Sequence, residues 1–317
     1  MHNVAMRTQT PSTSIATRVW RGFAFLVAIA VLVVHAAAGW TFSSRIVQDG
    51  FTPPDGLAFG SATATSLPIR EVSYPSPLGP IDAWYIDGTR SQWVIHIHGK
   101  GASLEEAIPA AESLAGAGYN QLIIGYRNDP GQPQDPTGYY GYGLSEHEDL
   151  AAAIDWAAAE GASEIALMGY STGGAITLSY IYKHPESAVR SVVLDSPNAD
   201  MSATIDFAAT RETLFAGIPV PFTITEIAKT VAALRASINW ESIDYVRRVD
   251  ALSVPTLVFH GTDDATVPIE TSRAMALGRP QLVELVEFEG AGHVGSRVTA
   301  PVVYDQLVLD FLASHWR

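Results

Sequence analysis

A serine with glycines on either side lies between a predicted strand and a predicted helix. The apolar run Glu164–Met168 predicts the strand, Gly169-Tyr170-Ser171-Thr172-Gly173 follows it, and a helix is predicted from Gly173 to His184. A turn this tight forces its central residue into strained backbone geometry and requires small neighbours. It raises the hydroxyl above the sheet, at the positive end of the helix. Ser171 is therefore predicted to be a nucleophile.

The glycine-rich motifs resemble those of a large enzyme superfamily. GYSTGG at 169–174, together with His98-Gly99-Lys100-Gly101 upstream, is similar to the α/β-hydrolase superfamily over about residues 69–317. Within it, the chain resembles bacterial esterase and lysophospholipase-like members, including the serine-aminopeptidase-like group. The resemblance implies an α/β-hydrolase fold and a catalytic triad in the chain order Ser, Asp, His.

The acid of this implied triad is expected in the segment 260–268, HGTDDATVP. It matches the superfamily's H-G-x-x-D-x-x-V-P, in which the acid position corresponds to Asp264. A carboxylate there fixes the tautomer of the base and stabilises the imidazolium formed during attack. Asp263 is adjacent and is expected to serve the turn. Asp195, at the end of the strand SVVLD, remains the other alternative because some relatives place their acid there.

The base is expected at His293. It follows the last predicted strand and a Gly-Ala-Gly turn in EFEGAGHVGS, and the turn allows the loop to carry the ring inward. The chain has nine histidines, so a histidine alone would indicate little. Its position after Ser171 and Asp264 gives the order that the resemblance implies.

Two backbone N–H groups are expected to receive the negative charge that develops on the carbonyl oxygen. One belongs to Thr172, directly after the nucleophile, and the other to Lys100 in the HGKG segment. The side chain of Lys100 is expected to point to solvent. No cofactor is expected: His96 and His98 have metal-ligand spacing, but Lys100 and Gly101 stand where the H-x-H-x-D-H pattern requires Asp and His.

The order of predicted elements gives the fold class. A hairpin, with strands Ile69–Tyr74 and Ile81–Ile86, comes first, and strands then alternate with helices. The later strands are nearly continuous apolar runs, as in a parallel sheet covered on both faces. They are predicted at Trp93–His98, Gln121–Tyr126, Glu164–Met168, Ser191–Asp195, Thr256–His260 and Val283–Phe288. The fold class is thus α/β, an α/β-hydrolase fold with a mainly parallel twisted sheet, helices on both faces and a helical lid insertion.

The lid is predicted at about residues 198–248, where no strand is expected. Ile224, Ile227, Val231, Leu234 and Ile238 recur at helical spacing and predict one packed face. The segment 207–222 has six large apolar residues, about half of which are expected to pack within the lid and the others to line the substrate pocket: Phe207, Leu214, Phe215, Ile218, Val220 and Phe222. Elsewhere, Ser145 and Glu148 predict a capping box before the helix that contains Leu150 and Ile154.

The N-terminus divides into three predicted segments. Residues 1–21 are basic, 22–40 are uncharged and long enough to approach a bilayer span, and 41–67 are predicted to be a tether before the hydrolase domain at 68–317. A single-pass anchor with an extracytoplasmic catalytic domain is expected. The alternative is a signal peptide cleaved near Ala38.

Composition excludes several function classes. The net charge is −14, and because the first 38 residues carry +3, the remainder carries −17, which argues against nucleic-acid binding. The absence of cysteine excludes thiolate catalysis and cysteine-ligated zinc. Dehalogenases of similar architecture need an aspartate at the nucleophile position, so Ser171 excludes that reaction. The sequence thus predicts a small-molecule acyl ester as substrate, cleaved through an acyl-enzyme; an amide or peptide hydrolase and an inactive binding module remain the alternatives.

Overall fold

Eight strands in one sheet form the centre of the described chain. The computed structural model describes residues 15–48, 65–214 and 217–316. The strands are β1 Ile69–Ser76, β2 Gly79–Ile86, β3 Gln92–Ile97, β4 Asn120–Ile124, β5 Glu164–Tyr170, β6 Val189–Asp195, β7 Thr256–Gly261 and β8 Val283–Phe288. Every strand predicted from the sequence is present, with its ends moved by three residues or fewer.

The sheet has the predicted mainly parallel topology. Its order is β1-β2-β4-β3-β5-β6-β7-β8, and only the pairs β1–β2 and β2–β4 are antiparallel. Since β3 stands beside β4 and β5, the chain reverses direction across the sheet between β4 and β5. This is the switch point at which parallel α/β sheets bind ligands, outside the carboxyl ends of the strands.

Helices cover both faces of the sheet. They are α1 Ile15–Gln48, α2 Ile108–Gly116, α3 His147–Ala159, α4 Thr172–Lys183, α5 Met201–Ala209, α6 Phe222–Ala236, α7 Ile269–Gly278, α8 Ser296–Thr299 and α9 Pro301–His315. Successive side chains of a strand point to opposite faces. Ile95 of β3 therefore joins a core with α3 and α4, whereas Val94 joins a second core with α2 and α9.

The predicted capping box is wrong. Helix α3 begins at His147, and Glu146 stands at its N-cap without a side-chain capping bond. The buried Glu146 carboxylate instead accepts hydrogen bonds from the N–H groups of Gly141 and Gly143. Glu148 faces Arg127, with 2.9 Å between Oε2 and Nη2.

Helix α1 extends further than the sequence indicated. It is long and apolar enough to cross a membrane, a property that anchors and signal sequences share. It continues to Gln48, so residues 41–48 of the predicted tether are helical. Residues 49–64 of that tether, and residues 1–14 of the basic segment, lie outside the described residues.

The end of α1 packs against the lid. Gly39 lies against Ile227 of α6, and Arg235 Nη1 donates to both Ser43 Oγ and Ser44 Oγ at 2.9 Å. These contacts advance in the same direction along both helices, so α1 and α6 run parallel.

The lid itself is helical, as predicted, but its buried face differs from the predicted stripe. Ile224 is buried, whereas Leu234 is 79% exposed and Ile238 lies beyond the end of α6. The other buried positions of α6 are Thr225, Ala228, Lys229, Ala232 and Ala236.

A larger side chain at position 39 is predicted to clash with α6, because Gly39 lies against Ile227. An added Cβ would stand 2.3 Å from Ile227 Cγ2, so Gly39→Leu should destabilise the protein by about 1–3 kcal/mol through overpacking. Gly22→Leu is the matched control, because nothing lies within 4 Å of an added Cβ there. Thermal unfolding of the full-length protein in detergent compares the two, and equal melting temperatures would contradict the packing.

Candidate active site

Ser171 stands at a strained turn between β5 and α4. Its backbone has φ 49° and ψ −114°, a conformation that L-residues seldom adopt. An added Cβ at Gly173 would lie 2.0 Å from the Ile97 carbonyl oxygen, and one at Gly169 would lie 2.7 Å from the Gly173 carbonyl oxygen. Only glycine fits at either position, and the result is a tight passage from strand to helix.

The three residues predicted as a triad lie together. His293 Nε2 is 2.9 Å from Ser171 Oγ, and His293 Nδ1 is 2.8 Å from Asp264 Oδ2. The His293 side chain is 24% exposed, whereas the Asp264 side chain is buried. His293 therefore has access to solvent, whereas Asp264 is shielded from it.

Asp264 is held as a carboxylate by several donors. Its Oδ1 accepts from the N–H groups of Thr266 and Val267, at 2.8 and 2.9 Å. Burial alone would raise the pKa of Asp264, but hydrogen bonds from His260 and His293 outweigh it and hold the pKa well below its ordinary value. His260 Nε2 lies 3.3 Å from Asp264 Oδ2. The motif HGTDD thus supplies both the acid and a second histidine beside it.

The two rival acids lie elsewhere. Asp263 is exposed on the same turn. Asp195 is buried at the end of β6, where its Oδ1 accepts from Ser296 Oγ at 3.0 Å. Burial raises the pKa of Asp195 to about 6, although the Ser296 hydrogen bond opposes the shift. The described side chains therefore bring Asp264, and neither rival, into hydrogen-bond contact with His293.

The loop that carries His293 is also strained. Val294 has φ 50°, which is rare for a β-branched residue. The Val294 N–H donates to Ser196 Oγ at 3.1 Å, and Ser196 itself has φ 49°. Strain of this kind persists only where surrounding contacts fix the backbone. Here the hydrogen bond between Val294 and Ser196 holds the backbone of the loop that carries His293.

The predicted oxyanion positions adjoin Ser171. Thr172 is the first residue of α4, and the first N–H groups of a helix have no intrahelical acceptor. An added Cβ at Gly99 would lie 3.1 Å from Ser171 Cβ, which places the Gly99–Lys100 segment directly beside the serine. Both segments therefore adjoin Ser171.

Two buried side chains hold this segment, and sequence reasoning missed both roles. Glu106 Oε2 accepts the Gly99 N–H at 2.7 Å, and His98 Nδ1 lies 2.8 Å from the Gly99 carbonyl oxygen. His98 Nε2 lies 3.1 Å from Asp129 Oδ2. Burial lowers the pKa of His98, but Asp129 outweighs it and the pKa is raised. The His98 ring thus connects the Gly99 carbonyl to Asp129.

His96, the second half of the apparent metal pair, has a different environment. Its Nε2 lies 2.9 Å from Gln121 Oε1, and burial lowers its pKa to about 4. The ring is therefore neutral. His96 and His98 have separate hydrogen-bond partners.

The predicted direction of the Lys100 side chain is wrong. Lys100 Nζ donates to the Ile46 carbonyl oxygen at 3.0 Å, and Tyr142 Oη also bonds that carbonyl. Carbonyls in the last turn of a helix have no intrahelical donor, and a cation is favourable there. The end of α1 is thus bonded to the loop beside Ser171.

A cavity of about 360 Å³ lies next to the acid, between α1 and the lid. Of the lid residues predicted to line a pocket, Val220 does so; Phe207, Leu214, Ile218 and Phe222 do not, and Phe215 lies outside the described residues. Phe222 is 69% exposed instead. The lining comes mainly from α5, from Phe42 and Ile46 of α1, and from Ala265 and Thr266 next to Asp264.

A family model matches most of this chain. The model of the prolyl oligopeptidase family matches residues 109–317, which include Ser171, Asp264 and His293. The chain belongs to the prolyl oligopeptidase family. This places it in the α/β-hydrolase superfamily, as the motifs indicated, and makes it a hydrolase. The match begins after the His98–Gly101 segment.

Solved structures share the fold of this prolyl oligopeptidase family member. An esterase of Pyrococcus furiosus, Pf2001, is 21% identical, covers 83% of this chain and 99% of its own, and has a TM-score of 0.64. The esterase RhEst1 of Rhodococcus is 22% identical, with coverages of 78% and 99% and a TM-score of 0.53. A puromycin-hydrolyzing peptidase of Mycobacterium tuberculosis is 19% identical, with coverages of 82% and 41% and a TM-score of 0.58.

The buried Asp195 gives this family member a pH-dependent stability. Its pKa of about 6 exceeds the ordinary 3.8, so between these values the folded state keeps a proton that the unfolded chain releases. Stability should therefore fall as pH rises from about 4 to above 6, by an amount on the order of 3 kcal/mol. Asp195→Asn should remove this slope in urea unfolding measured across that range. Asp263→Asn, at an exposed site, should keep it, and an unchanged slope in Asp195→Asn would contradict the assignment.

Proposed function

We propose that this protein is a serine hydrolase that cleaves carboxylic esters through an acyl-enzyme, with Ser171 as nucleophile, His293 as base and Asp264 as the acid that orients it. The observation that carries the proposal is the continuous contact from Asp264 through His293 to Ser171, at 2.8 and 2.9 Å. Nucleophile, base and orienting group within hydrogen-bond reach are the arrangement that activates a serine.

The geometry supports the following sequence of proton transfers. His293 Nε2 takes the proton of Ser171 as Oγ attacks the ester carbonyl, and the N–H groups of Thr172 and Lys100 stabilise the oxyanion. The imidazolium then gives that proton to the leaving alcohol, which departs and leaves an ester on Ser171. Water deprotonated by His293 attacks this ester; as the bond to Ser171 Oγ breaks, the imidazolium returns the proton to that oxygen and the carboxylic acid is released. Asp264 remains ionised throughout, as its depressed pKa requires.

The cavity favours an ester over a peptide. A peptidase that removes terminal residues needs a charged group to hold the peptide's end. The ionic residues that line this cavity are Arg45 and Glu212, and they face each other at 3.6 Å between Nη1 and Oε2. Apolar side chains make up most of the remaining lining. A medium-chain acyl ester suits such a lining better than acetate does.

Amide hydrolysis on the same residues is the second candidate. The matching family model is that of the prolyl oligopeptidase family, and one solved structure of similar fold is a puromycin-hydrolyzing peptidase. Comparison of kcat/KM on octanoyl esters and on aminoacyl amides separates the two. We expect the esters to be favoured, and efficient release of N-terminal residues from peptides would favour the second candidate.

We also propose that α1 is a single-pass anchor and that the catalytic domain is extracytoplasmic. Apolar side chains along α1 are largely exposed, Leu26 at 65% for example, and a surface of this kind needs a lipid or protein cover. Basic residues before the span favour a cytoplasmic N-terminus. Cleavage near Ala38, the alternative, would cut α1 within its helical length.

Ser171→Ala tests the nucleophile. We expect the variant to lose labelling by a fluorophosphonate probe and to lose ester hydrolysis, because no hydroxyl remains for attack. Ser191→Ala is a suitable control, since Ser191 is a buried serine in the first half of β6, away from the carboxyl end of the strand. Labelling and hydrolysis that survive in Ser171→Ala would refute the proposal.

Asp264→Asn tests the acid. The amide leaves His293 in the wrong tautomer, so kcat should fall by roughly 10⁴. Asp263→Asn and Asp195→Asn should have much smaller effects, because neither side chain contacts His293 in the described structure. Steady-state kinetics on one ester compares the three, and the largest loss in Asp195→Asn would move the acid to β6.

Fractionation tests the anchor. The full-length protein should sediment with membranes and resist extraction by salt or carbonate, whereas a chain that begins at Thr41 should be soluble and active. That chain keeps Phe42–Val47 and hence the contacts of Ser43 and Ile46. A secreted form whose N-terminus is Gly39 would establish the signal peptide instead.

A further inference from the structure

The last turns of α1 form one wall of the cavity next to the acid. Phe42, Arg45 and Ile46 line it from α1, and Ala265 and Thr266 line it from the loop that follows Asp264. A volume of about 360 Å³ is within the range of small-ligand pockets. The end of the proposed membrane helix therefore borders a cavity that the loop after Asp264 also lines.

This wall is fixed in position by hydrogen bonds from two sides. Arg235 of the lid donates to the buried Ser43, and Lys100 and Tyr142 bond the Ile46 carbonyl. Since Lys100 belongs to the loop beside Ser171, the wall and the proposed oxyanion site are connected directly. The position of the α1 end relative to Ser171 is thus set by bonds as well as by packing.

The chemistry of the lining selects the ligand. Phe42 and Ile46 offer apolar surface, and the opposite side includes Ile205 and Ala209 of α5. The charged pair Arg45 and Glu212 is about half exposed, so it belongs to the rim. An unbranched acyl chain is the part of an ester that such a lining would bind.

We propose that Phe42 and Ile46 of the N-terminal helix set the acyl-chain preference of this hydrolase, so that the end of the membrane helix is part of the binding site for the acyl chain. The inference rests on the proposed esterase function. Each methylene buried there should raise kcat/KM about fourfold, which corresponds to about 0.8 kcal/mol.

Chain-length profiles of the full-length protein in detergent test this proposal. With p-nitrophenyl esters from acetyl to decanoyl, Phe42→Ala should lower the ratio of octanoyl to acetyl kcat/KM about tenfold, since the wall loses its largest apolar side chain. Thr41→Ala is the matched control. Thr41 precedes Phe42, is exposed and does not line the cavity, so this variant should keep the wild-type ratio.

A second variant covers the case in which Phe42→Ala disturbs α1. Ala209→Phe should fill the cavity from the lid and move the optimum to shorter chains. Ala233→Phe, at a similarly half-buried lid position outside this cavity, should leave the profile unchanged. If both Phe42→Ala and Ala209→Phe keep the wild-type chain-length profile while hydrolysis still depends on Ser171, this inference is wrong and the proposed esterase function stands. Absence of ester hydrolysis by the wild type would overturn the proposed function and this inference with it.

An ester substrate can reach the enzyme from two places, the aqueous solution and the lipid bilayer. We therefore compare a monomeric octanoyl ester with monooctanoylglycerol in phosphatidylcholine vesicles, using wild type and Phe42→Ala. We expect Phe42→Ala to have a lower kcat/KM than the wild type on both substrates. The substrate that the wild type cleaves with the higher kcat/KM identifies the source. A loss with neither substrate would contradict the role of Phe42.

Discussion

The close approach of α4 to β3 at the turn around Ser171 is the constraint on which the site depends. Because Gly173 lies against the Ile97 carbonyl, the helix begins directly over the end of the strand. This contact places the start of α4 beside the Gly99–Lys100 segment and leaves Ser171 with a positive φ. Any side chain at position 173 would separate the two. The positions of Ser171 and of the Gly99–Lys100 segment therefore depend on the absence of a Cβ at Gly173.

Much of the fold and of the candidate site could be predicted from the sequence, because both depend on local patterns. Apolar runs gave all eight strands, and turn glycines gave the positions of Ser171 and His293. What could not be predicted depends on long-range contact. The His260 contact with Asp264, the Glu106 and Asp129 contacts around the Gly99 segment, and the Lys100 bond to α1 join residues whose pairing has no local signature. The predicted stripe of α6 was wrong in part for the same reason, since Leu234 is exposed and the buried face includes Ala228, Ala232 and Ala236 instead.

The N-terminal helix connects three parts of the molecule that the sequence suggested were independent. Its apolar length is suited to a bilayer, Gly39 and Ser43 pack on the lid, and the carbonyl of Ile46 bonds Lys100 beside Ser171. The end of one helix therefore contacts the lid, the cavity and the Gly99–Lys100 segment. The family model matches from residue 109 onward, so α1 and Lys100 lie outside the matched part of the chain, whereas the lid lies within it.

The most direct measurement of the central claim is the site at which an acyl group becomes attached during turnover. The protein is mixed with an octanoyl ester, quenched in acid at early times and digested, and the peptides are analysed by mass spectrometry. The account predicts an octanoyl group on Ser171 that forms within the first turnover and disappears as substrate is exhausted. Full turnover with the acyl group on another residue, or with no covalent intermediate formed, would contradict it.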